Sequence, residues 1–462
     1  MGLRTIAFVL LFLGCSCGAL GVPLLGILGY VAHYIIGPER QWWVAPLRQF
    51  EIRYSLTLAV ATAIGIALNF GKLRYGATLL TSQEKALLGF VGFAWLLRAF
   101  SEPTVFYTVV DHPALKLTKV AVFCLMLTHV VTNVRSLKIL LWTLVISTFI
   151  LGIEAYSAPR STFEHGRLEG IGGVDFGEAN FLAAFIGGML PLAGVLFLES
   201  RWLGKLLAGG CGVFCVNTIV LTRSRGAVVG MALGVVVAIF LAPKGYRTKI
   251  VAGLLVAGLG GLYLADPGFL ARLNTLGPNT GDVDRSAQSR LETWALSVDM
   301  LKDHPLGIGP GNFFQVAGEY DQRYQGRDSH NTYARCFTEL GIPGFALFLG
   351  LILHSIVMLK RTMRKAYKLP PKCQAQIILP SYGLAVGLCM MLGAGLTVTL
   401  LYTEALWWFL MLPVCLERAV DNLASDFESE ANMLSEEMET DWPVDAAGVS
   451  TIPIGPPDGI ES

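Results

Sequence analysis

Charged residues are scarce in this chain: they make up 15% of its 462 residues, whereas hydrophobic residues make up 53%. Soluble domains usually carry about 25% charged residues. The low charge therefore excludes an ordinary soluble domain, and a net charge of +1 gives no basis for binding nucleic acid. The mean hydropathy of +0.57 instead indicates a polytopic membrane protein.

The cysteines also point to no metal-binding or redox motif. Most of the nine cysteines lie in or beside apolar runs, and a single residue separates Cys15 from Cys17, which suits neither zinc nor a redox pair. We therefore expect no disulfide framework, no metal site and no cofactor. Asp282 and Asp284 have an Asp-x-Asp spacing, which we interpret as solvated loop charge, with a metal role as the alternative.

Long apolar runs, by contrast, recur along the chain. A span needs about 20 apolar residues, and the bilayer interior satisfies backbone polar groups only within helices or closed barrels. The sequence predicts an all-α, polytopic membrane helix bundle of about 12 spans, or 13 if its first segment forms two. The predicted spans lie near 3–36, 53–70, 84–100, 117–133, 137–154, 181–198, 204–221, 226–242, 248–265, 336–358, 378–396 and 398–416.

Lysine and arginine occupy every second connection, which predicts that those connections are cytoplasmic. They include Lys72, Arg74 and Lys85, and the run from Lys360 to Lys365 is the most basic. The outward side then receives one long polar segment and three shorter ones. These are residues 266–335, and residues 37–52, 101–116 and 155–180.

This pattern divides the chain into four parts. Residues 1–265 form an N-terminal transmembrane bundle, 266–335 a long extracytoplasmic loop with short helices in which we expect the chemistry of the protein to lie, and 336–418 the C-terminal transmembrane helices. Residues 419–462 form an acidic cytoplasmic tail. Because residues 421–462 contain no lysine or arginine and little apolar surface, we expect the tail to be disordered.

Two arginines, Arg223 and Arg225, lie in a tight outward turn between two predicted spans. Arginine near the bilayer is costly, so its presence there favours a function. The alternative is that the side chains extend to lipid headgroups.

Arg290 opens an amphipathic pattern that runs to about Asp303, typical of a helix lying at the membrane interface. A guanidinium group pairs with two phosphate oxygens at once, which makes Arg290 a candidate phosphate ligand. A salt bridge to Glu292, Asp282 or Asp284 is the alternative.

His330 lies between the long polar segment and the next apolar run, with Asn331 beside it. A histidine with an ordinary pKa of about 6.5 can accept a proton from a hydroxyl group near neutral pH. His330 is therefore a candidate general base, although its spacing alone does not separate this role from a structural one.

Three motifs in this order resemble the O-antigen ligase / O-antigen polymerase superfamily. They are Ser224-Arg225-Gly226-Ala227, then Ser289-Arg290 with Trp294 and the glycine-rich run to Phe313, then His330-Asn331 with Glu339-Leu340-Gly341-Ile342-x-Gly344. The N-terminal third is more similar to the exosortase-associated O-glycosylation ligase branch.

The resemblance implies metal-independent transfer of a glycan from an undecaprenyl-diphosphate carrier to an acceptor hydroxyl on a glycan, lipid or protein. It places the chain in the bacterial inner membrane, among membrane lipids, with its site on the periplasmic face. By motif, Arg225 and Arg290 would bind the diphosphate and His330 would activate the acceptor. Arg223 and Asn331 would be further substrate-binding residues.

Other functions stay open at this point. A polysaccharide polymerase of the same superfamily would share the donor, and the outward segment 155–180, with Arg160, His165 and Arg167, keeps that alternative open. We prefer a ligase because one outward segment dominates. A small-solute or inorganic carbon transporter would need polar groups clustered near the bilayer midplane, and Asn217, Glu404 and His129 do not cluster by topology.

Overall fold

The computed structural model describes residues 2–73, 78–274 and 285–441. Across these ranges the chain is helical apart from connections and one short hairpin, which confirms the predicted fold class. The sixteen α-helices are α1 Leu3–Gly21, α2 Pro23–Ile36, α3 Tyr54–Leu68, α4 Ser82–Phe100, α5 Pro113–Val130, α6 Val134–Tyr156, α7 Ala179–Glu199, α8 Trp202–Thr222, α9 Arg225–Leu241, α10 Arg247–Leu264, α11 Pro267–Asn274, α12 Arg285–Asp303, α13 Phe313–Tyr320, α14 Thr332–Ala366, α15 Pro371–Ala394 and α16 Glu404–Asp441.

Each predicted span corresponds to a helix, and the ambiguous first segment forms two, α1 and α2. By length and apolarity, eight helices of the described residues could cross a membrane, or nine if the bent pair 42–50 and 54–68 is one span. This is fewer than the twelve predicted. The helices α2 and α9 have only 14 and 17 residues, and α4 carries three charged residues, Glu84, Lys85 and Arg98.

The hairpin lies in the predicted outward segment between α6 and α7. It pairs β1, Phe163–Glu164, with β2, Arg167–Leu168, in antiparallel register, with Glu164 opposite Arg167. His165 and Gly166 form the turn, both with positive φ. The hairpin contacts the end of α8, so this segment is anchored to the helix bundle.

Helix α14 is broken at Gly341, whose φ of 64° and ψ of −170° are not helical. The break frees the carbonyl groups of two residues in the preceding turn, because Pro343 has no N–H and the N–H of Ile342 bonds elsewhere, to Pro305 O. The glycine-rich turn after α12 supplies the replacement donors. Ile308 N donates to Thr338 O at 3.1 Å, and Gly309 N donates to Glu339 O at 2.9 Å.

Two motifs recognised in the sequence, the glycine-rich turn and Glu339–Gly344, therefore form one hydrogen-bonded unit. The turn has no room for side chains at its closest point, because a Cβ at Gly307 would lie 2.6 Å from Glu339 O. This unit ties the long polar segment to the first part of α14, the helix that follows His330.

We expect Gly341→Ala to destabilise the protein, because a side chain at this φ and ψ is strained by about 1–3 kcal/mol and its Cβ would lie 2.2 Å from Leu306 C. Thermal unfolding in detergent measures the effect as a lowered Tm. Gly350→Ala is the matched control, because Gly350 lies on the same helix and a Cβ added there would meet no atom within 4 Å. Equal Tm values for the two variants would contradict the assigned strain.

Helix α16 continues past its apolar half to Asp441. The prediction of disorder from residue 419 is therefore wrong as far as Asp441, and residues 442–462 lie outside the described residues. An isolated acidic helix would be marginal because nucleation is costly, but here the apolar half of the helix already supplies the nucleus. Contacts with the basic end of α14 also help: Lys365 Nζ lies 2.6 Å from Asp421 Oδ1.

Candidate active site

A cavity of about 650 Å³ opens where the predicted outward segments meet. Its walls come from three of those connections, 101–116, 155–180 and 266–335, and from the turn between α15 and α16. Both Arg290 and His330 line it. The remaining lining residues are Tyr107, Lys116, Val174, Asp175, Gly177, Glu178, Phe181, Ser289, Thr293, Phe314, Gly326, Arg327, Asp328, Arg335, Thr399, Tyr402 and Thr403.

The backbone at His330 is fixed from both sides. His330 has a φ of 48°, the left-handed region that non-glycine residues seldom adopt. Trp294 Nε1 on α12 donates to Ser329 O at 3.2 Å, and the backbone N–H of Thr332 donates to Gly395 O at 2.8 Å. Held in this way, the imidazole group faces the cavity with its side chain 40% exposed.

A line of charged groups runs from His330 into the protein interior. Asp328 Oδ2 lies 3.7 Å from His330 Nδ1, and Asp328 Oδ1 accepts a hydrogen bond of 3.1 Å from Arg335. Arg335 Nε lies 2.7 Å from Glu339 Oε1, an ion pair whose N–H direction is not aligned for a hydrogen bond. Glu339 also accepts hydrogen bonds from Tyr402 Oη and from the backbone N–H of Phe313.

Burial lowers the pKa of His330, and the positive charges of Arg290, Arg167 and Arg335 lower it further, while Asp328 opposes them. The neutral imidazole is therefore favoured near neutral pH. Neutral imidazole is the form that accepts a proton, so the surroundings of His330 suit a general base.

Arg290 lies on α12 and reaches the cavity without an acidic partner among the described residues. The salt bridge to Glu292, one alternative from the sequence, is not formed. Glu292 instead accepts hydrogen bonds from Tyr324 Oη and Gln288 Nε2. Asp282 and Asp284, the other two alternatives, lie outside the described residues.

Arg290 belongs to a group of four arginines whose charges act on one another, which we call the arginine cluster. Burial and neighbouring guanidinium groups lower the pKa of Arg290 and of Arg167. Both remain charged, because the ordinary pKa of arginine exceeds 12. So many like charges in one place favour binding of an anion. The cluster consists of Arg167, Arg225, Arg272 and Arg290.

Arg225 is the first residue of α9 and is not among the residues that line the cavity, but its charge interacts with those of Arg290 and Arg272. Ser224 caps the helix by accepting a hydrogen bond from Ala227 N at 3.3 Å. Gly226 permits close packing, since a Cβ there would lie 1.9 Å from Thr397 Oγ1. The Ser-Arg-Gly-Ala motif thus seats the start of α9 against the turn after α15.

Like Arg225, two further predicted substrate-binding residues, Arg223 and Asn331, do not line the cavity. Arg223 follows α8 in the left-handed conformation and forms an ion pair with Asp266, with its guanidinium group against Gly268. Asn331 caps α14, and its Oδ1 accepts hydrogen bonds from Tyr333 N at 2.9 Å and Ala334 N at 3.0 Å. Both side chains thus have structural partners, and a role in substrate binding stays a prediction.

The structure adds residues that the sequence did not single out as site residues. Asp328 and Glu178 line the cavity, and Arg167 and Arg272 complete the arginine cluster. Asp328 lies two residues before His330, a spacing that could have drawn attention to it. For Arg272 we find no signal in the sequence.

No group of three or more His, Cys, Asp or Glu side chains in the described parts of the chain is arranged to hold a metal ion. The Asp282–Asp284 pair lies outside those parts. Metal independence therefore stays a prediction.

Comparison with known families agrees with the geometry. Residues 210–349 match the family model described as O-antigen ligase. The matched segment contains Arg225, Arg290 and His330, as well as the broken helix α14 up to residue 349. The predicted resemblance to the O-antigen ligase / O-antigen polymerase superfamily is thereby confirmed, and the assignment of the N-terminal third to the exosortase-associated branch stays a prediction. No curated protein sequence matches the chain.

Proposed function

We propose that this bacterial membrane enzyme of the O-antigen ligase or polymerase type moves a glycan from an undecaprenyl-diphosphate carrier to an acceptor hydroxyl. The proposed site is the cavity lined by Arg290 and His330, on the periplasmic face of the inner membrane. The observation that carries the proposal is the presence of these two residues in the same cavity, beside the arginine cluster.

In the proposed reaction the acceptor oxygen attacks the anomeric carbon of the donor sugar. The bond from that carbon to the diphosphate oxygen breaks, and the undecaprenyl diphosphate leaves with the bonding electrons. Negative charge grows on the leaving group as the bond breaks. Fixed guanidinium groups of Arg225 and Arg290 therefore stabilise the transition state more than the bound donor.

His330 accepts the proton of the acceptor hydroxyl during the attack. Its position 3.7 Å from Asp328 supports this role, because the carboxylate stabilises the imidazolium that forms. Asp328 is in turn held by Arg335 and, through it, by the buried Glu339. The base is thus oriented by groups that are fixed before substrate binds.

The cavity lining also offers groups for the acceptor. Tyr107 and Phe314 present aromatic rings, and Glu178 and Lys116 present opposite charges. Lys116 forms an ion pair with Asp175, which also accepts a hydrogen bond of 2.7 Å from Tyr34 Oη. These contacts do not separate a ligase from a polymerase, since both transfer to a hydroxyl group.

Mass analysis of lipid-linked and surface glycans in a deletion strain separates the candidate functions. For a ligase we expect long-chain glycan to accumulate on the lipid carrier, because the assembled chain is no longer removed. Accumulation of single repeat units would indicate a polymerase instead. Unchanged glycans in the deletion strain would overturn the proposal and leave a transporter or a scaffold. Re-expression of the unmodified protein is the control and restores the original profile.

A further inference from the structure

We propose that Arg167, on the hairpin between α6 and α7, is a positioning residue for the diphosphate-binding arginines. The inference rests on the proposed function and deepens it. It assigns a role to the second outward segment, 155–180, in binding the anionic donor. Arg167 does not line the cavity, so we infer that it acts through other residues and through its charge.

The guanidinium group of Arg167 is held by hydrogen bonds to two helices, α8 and α7. Its Nε donates to the carbonyl oxygen of Thr222, the last residue of α8, at 3.1 Å. Its Nη2 donates to Asn180 Oδ1, near the start of α7, at 2.7 Å. Glu169 Oε1, on the same segment as Arg167, lies 3.7 Å from Arg167 Nη1. The side chain is 17% exposed, so these contacts form largely away from water.

The contact with Asn180 leads to Arg225. Asn180 Oδ1 accepts a second hydrogen bond, from Ser224 Oγ at 2.9 Å. Ser224 Oγ is also the acceptor that caps α9, and Arg225 is the next residue. Arg167 therefore fixes the side chain of Asn180. Asn180 in turn fixes Ser224, the cap of α9, and Arg225 is the first residue of that helix.

The hydrogen bond from Arg167 to Thr222 O also helps to fix the start of α9, because it acts on the end of the preceding helix, α8. Thr222 is the last residue of α8, and the chain turns through only Arg223 and Ser224 before α9 begins. A donor on this carbonyl group limits the movement of the turn. Arg167 thus holds both the residue before the turn and, through Asn180, the residue that ends it.

The charge of Arg167 is a second, separable contribution. It acts on Arg290 and on His330, two residues that line the cavity. A positive charge close to the cavity, on a residue that does not line it, adds to the attraction for a diphosphate without touching it. Glu169 offsets part of this charge from 3.7 Å, a distance too long for a hydrogen bond.

Three variants separate geometry from charge. Arg167→Gln removes the charge and the forked contact with Thr222 and Asn180. Arg167→Lys keeps the charge but cannot make both of these contacts. Asn180→Ala removes the link to Ser224 and leaves Arg167 charged. Each purified full-length variant is mixed with a detergent extract of deletion-strain membranes, which supplies lipid-linked donor and native acceptor. The initial rate of donor loss is measured against donor concentration and against pH.

We expect each variant to lower kcat/KM for the donor on the order of tenfold, as for other residues that orient a ligand-binding side chain. The pH profile separates them. A general base is active when unprotonated, so the rate rises with pH through the pKa of His330. Arg167 lowers that pKa, so Arg167→Gln moves the rising limb to higher pH, by on the order of half a pH unit for one partly screened charge.

Arg167→Lys and Asn180→Ala should not shift the rising limb of the pH profile, because both keep the positive charge at position 167. The other charged groups that act on His330 or share its cavity are unchanged in all three variants. They are Asp328 and Arg327 on its own segment, Arg290 on α12, Arg335 on α14, Lys116 on α5, and Asp175 and Glu178 just before α7. A shift confined to Arg167→Gln therefore reports the charge of Arg167.

Arg160→Gln is the matched control, because Arg160 is an exposed arginine of the same outward segment with no ion pair among the described residues. Wild-type rates in Arg167→Lys and Asn180→Ala, or a limb that does not move in Arg167→Gln, would overturn the proposal. If Arg167→Gln fails to accumulate, the other two variants decide the positioning role by their kcat/KM. The proposed function fails separately, when variants of His330 and Arg290 keep transfer activity.

Discussion

Replacing His330 with alanine should reduce glycan transfer by about 10²–10⁴-fold, the usual contribution of a general base. Without the imidazole group, no base at position 330 takes up the proton of the substrate hydroxyl. Donor binding by the arginines is unaffected. The protein should still insert and accumulate, because the side chain is 40% exposed and faces the cavity. The measurement is the rate of donor loss together with the surface glycan profile.

The pH dependence gives the same prediction a second test. Since burial and nearby arginines lower the pKa of His330, its neutral form persists into mildly acidic solution. The ordinary pKa of histidine is about 6.5. Activity should therefore persist below that pH and fall only as the pH drops through the lowered pKa of His330. His304→Ala is the control, an exposed histidine of the same outward segment. Normal surface glycan in the His330 variant would reject the enzymatic role.

Replacing Arg290 with alanine should lower the transfer rate by about 10²–10³-fold, the loss seen when one preorganised donor to a developing negative charge is removed. Arg290 has no competing carboxylate among the described residues, so its guanidinium group is available to the diphosphate. Arg290→Lys and Arg225→Lys should also be damaging, because lysine keeps the charge but not the forked contact. Rates measured against donor concentration separate weaker binding from slower chemistry.

Arg323→Ala is a suitable control for these variants. Arg323 belongs to the same outward segment, is exposed and pairs with Asp321, and exposed ion pairs contribute little to stability. Full activity in both lysine variants would mean that the site needs only positive charge. Full activity in Arg290→Ala would remove this residue from the site altogether.

Much of the candidate site could be proposed from the sequence because its motifs are short and local. The position of His330 directly before an apolar run places it at the start of α14, and Arg225 likewise follows from the Ser-Arg-Gly-Ala turn. The glycine-rich turn and Glu339–Gly344 were recognised as motifs. Their hydrogen-bonded union could not be predicted, because it depends on which carbonyl groups the break at Gly341 leaves free.

For Arg223 and Asn331 the sequence predicts a role in substrate binding but not the direction of the side chain. Each lies next to a residue of the site, but neighbouring residues in a turn or at a helix start point in different directions. Arg223 turns towards Asp266, and Asn331 folds back to cap α14. Capping was predictable from the residue type, since asparagine is among the preferred helix caps.

Apolar length alone was enough to establish the class of protein and the location of its helices, because a span of the bilayer needs a long apolar run. The distribution of lysine and arginine predicts which connections face outward, because it governs the orientation of the spans. Which side chains of the candidate site lie near one another emerged only from the tertiary structure. Asp328 lies near His330, whose backbone is in the left-handed region. The charges of Arg167, on the hairpin, and of Arg272, on α11, act on Arg290, although the three residues are far apart in the chain. Side-chain direction and long-range contact, which no local pattern encodes, set that assembly.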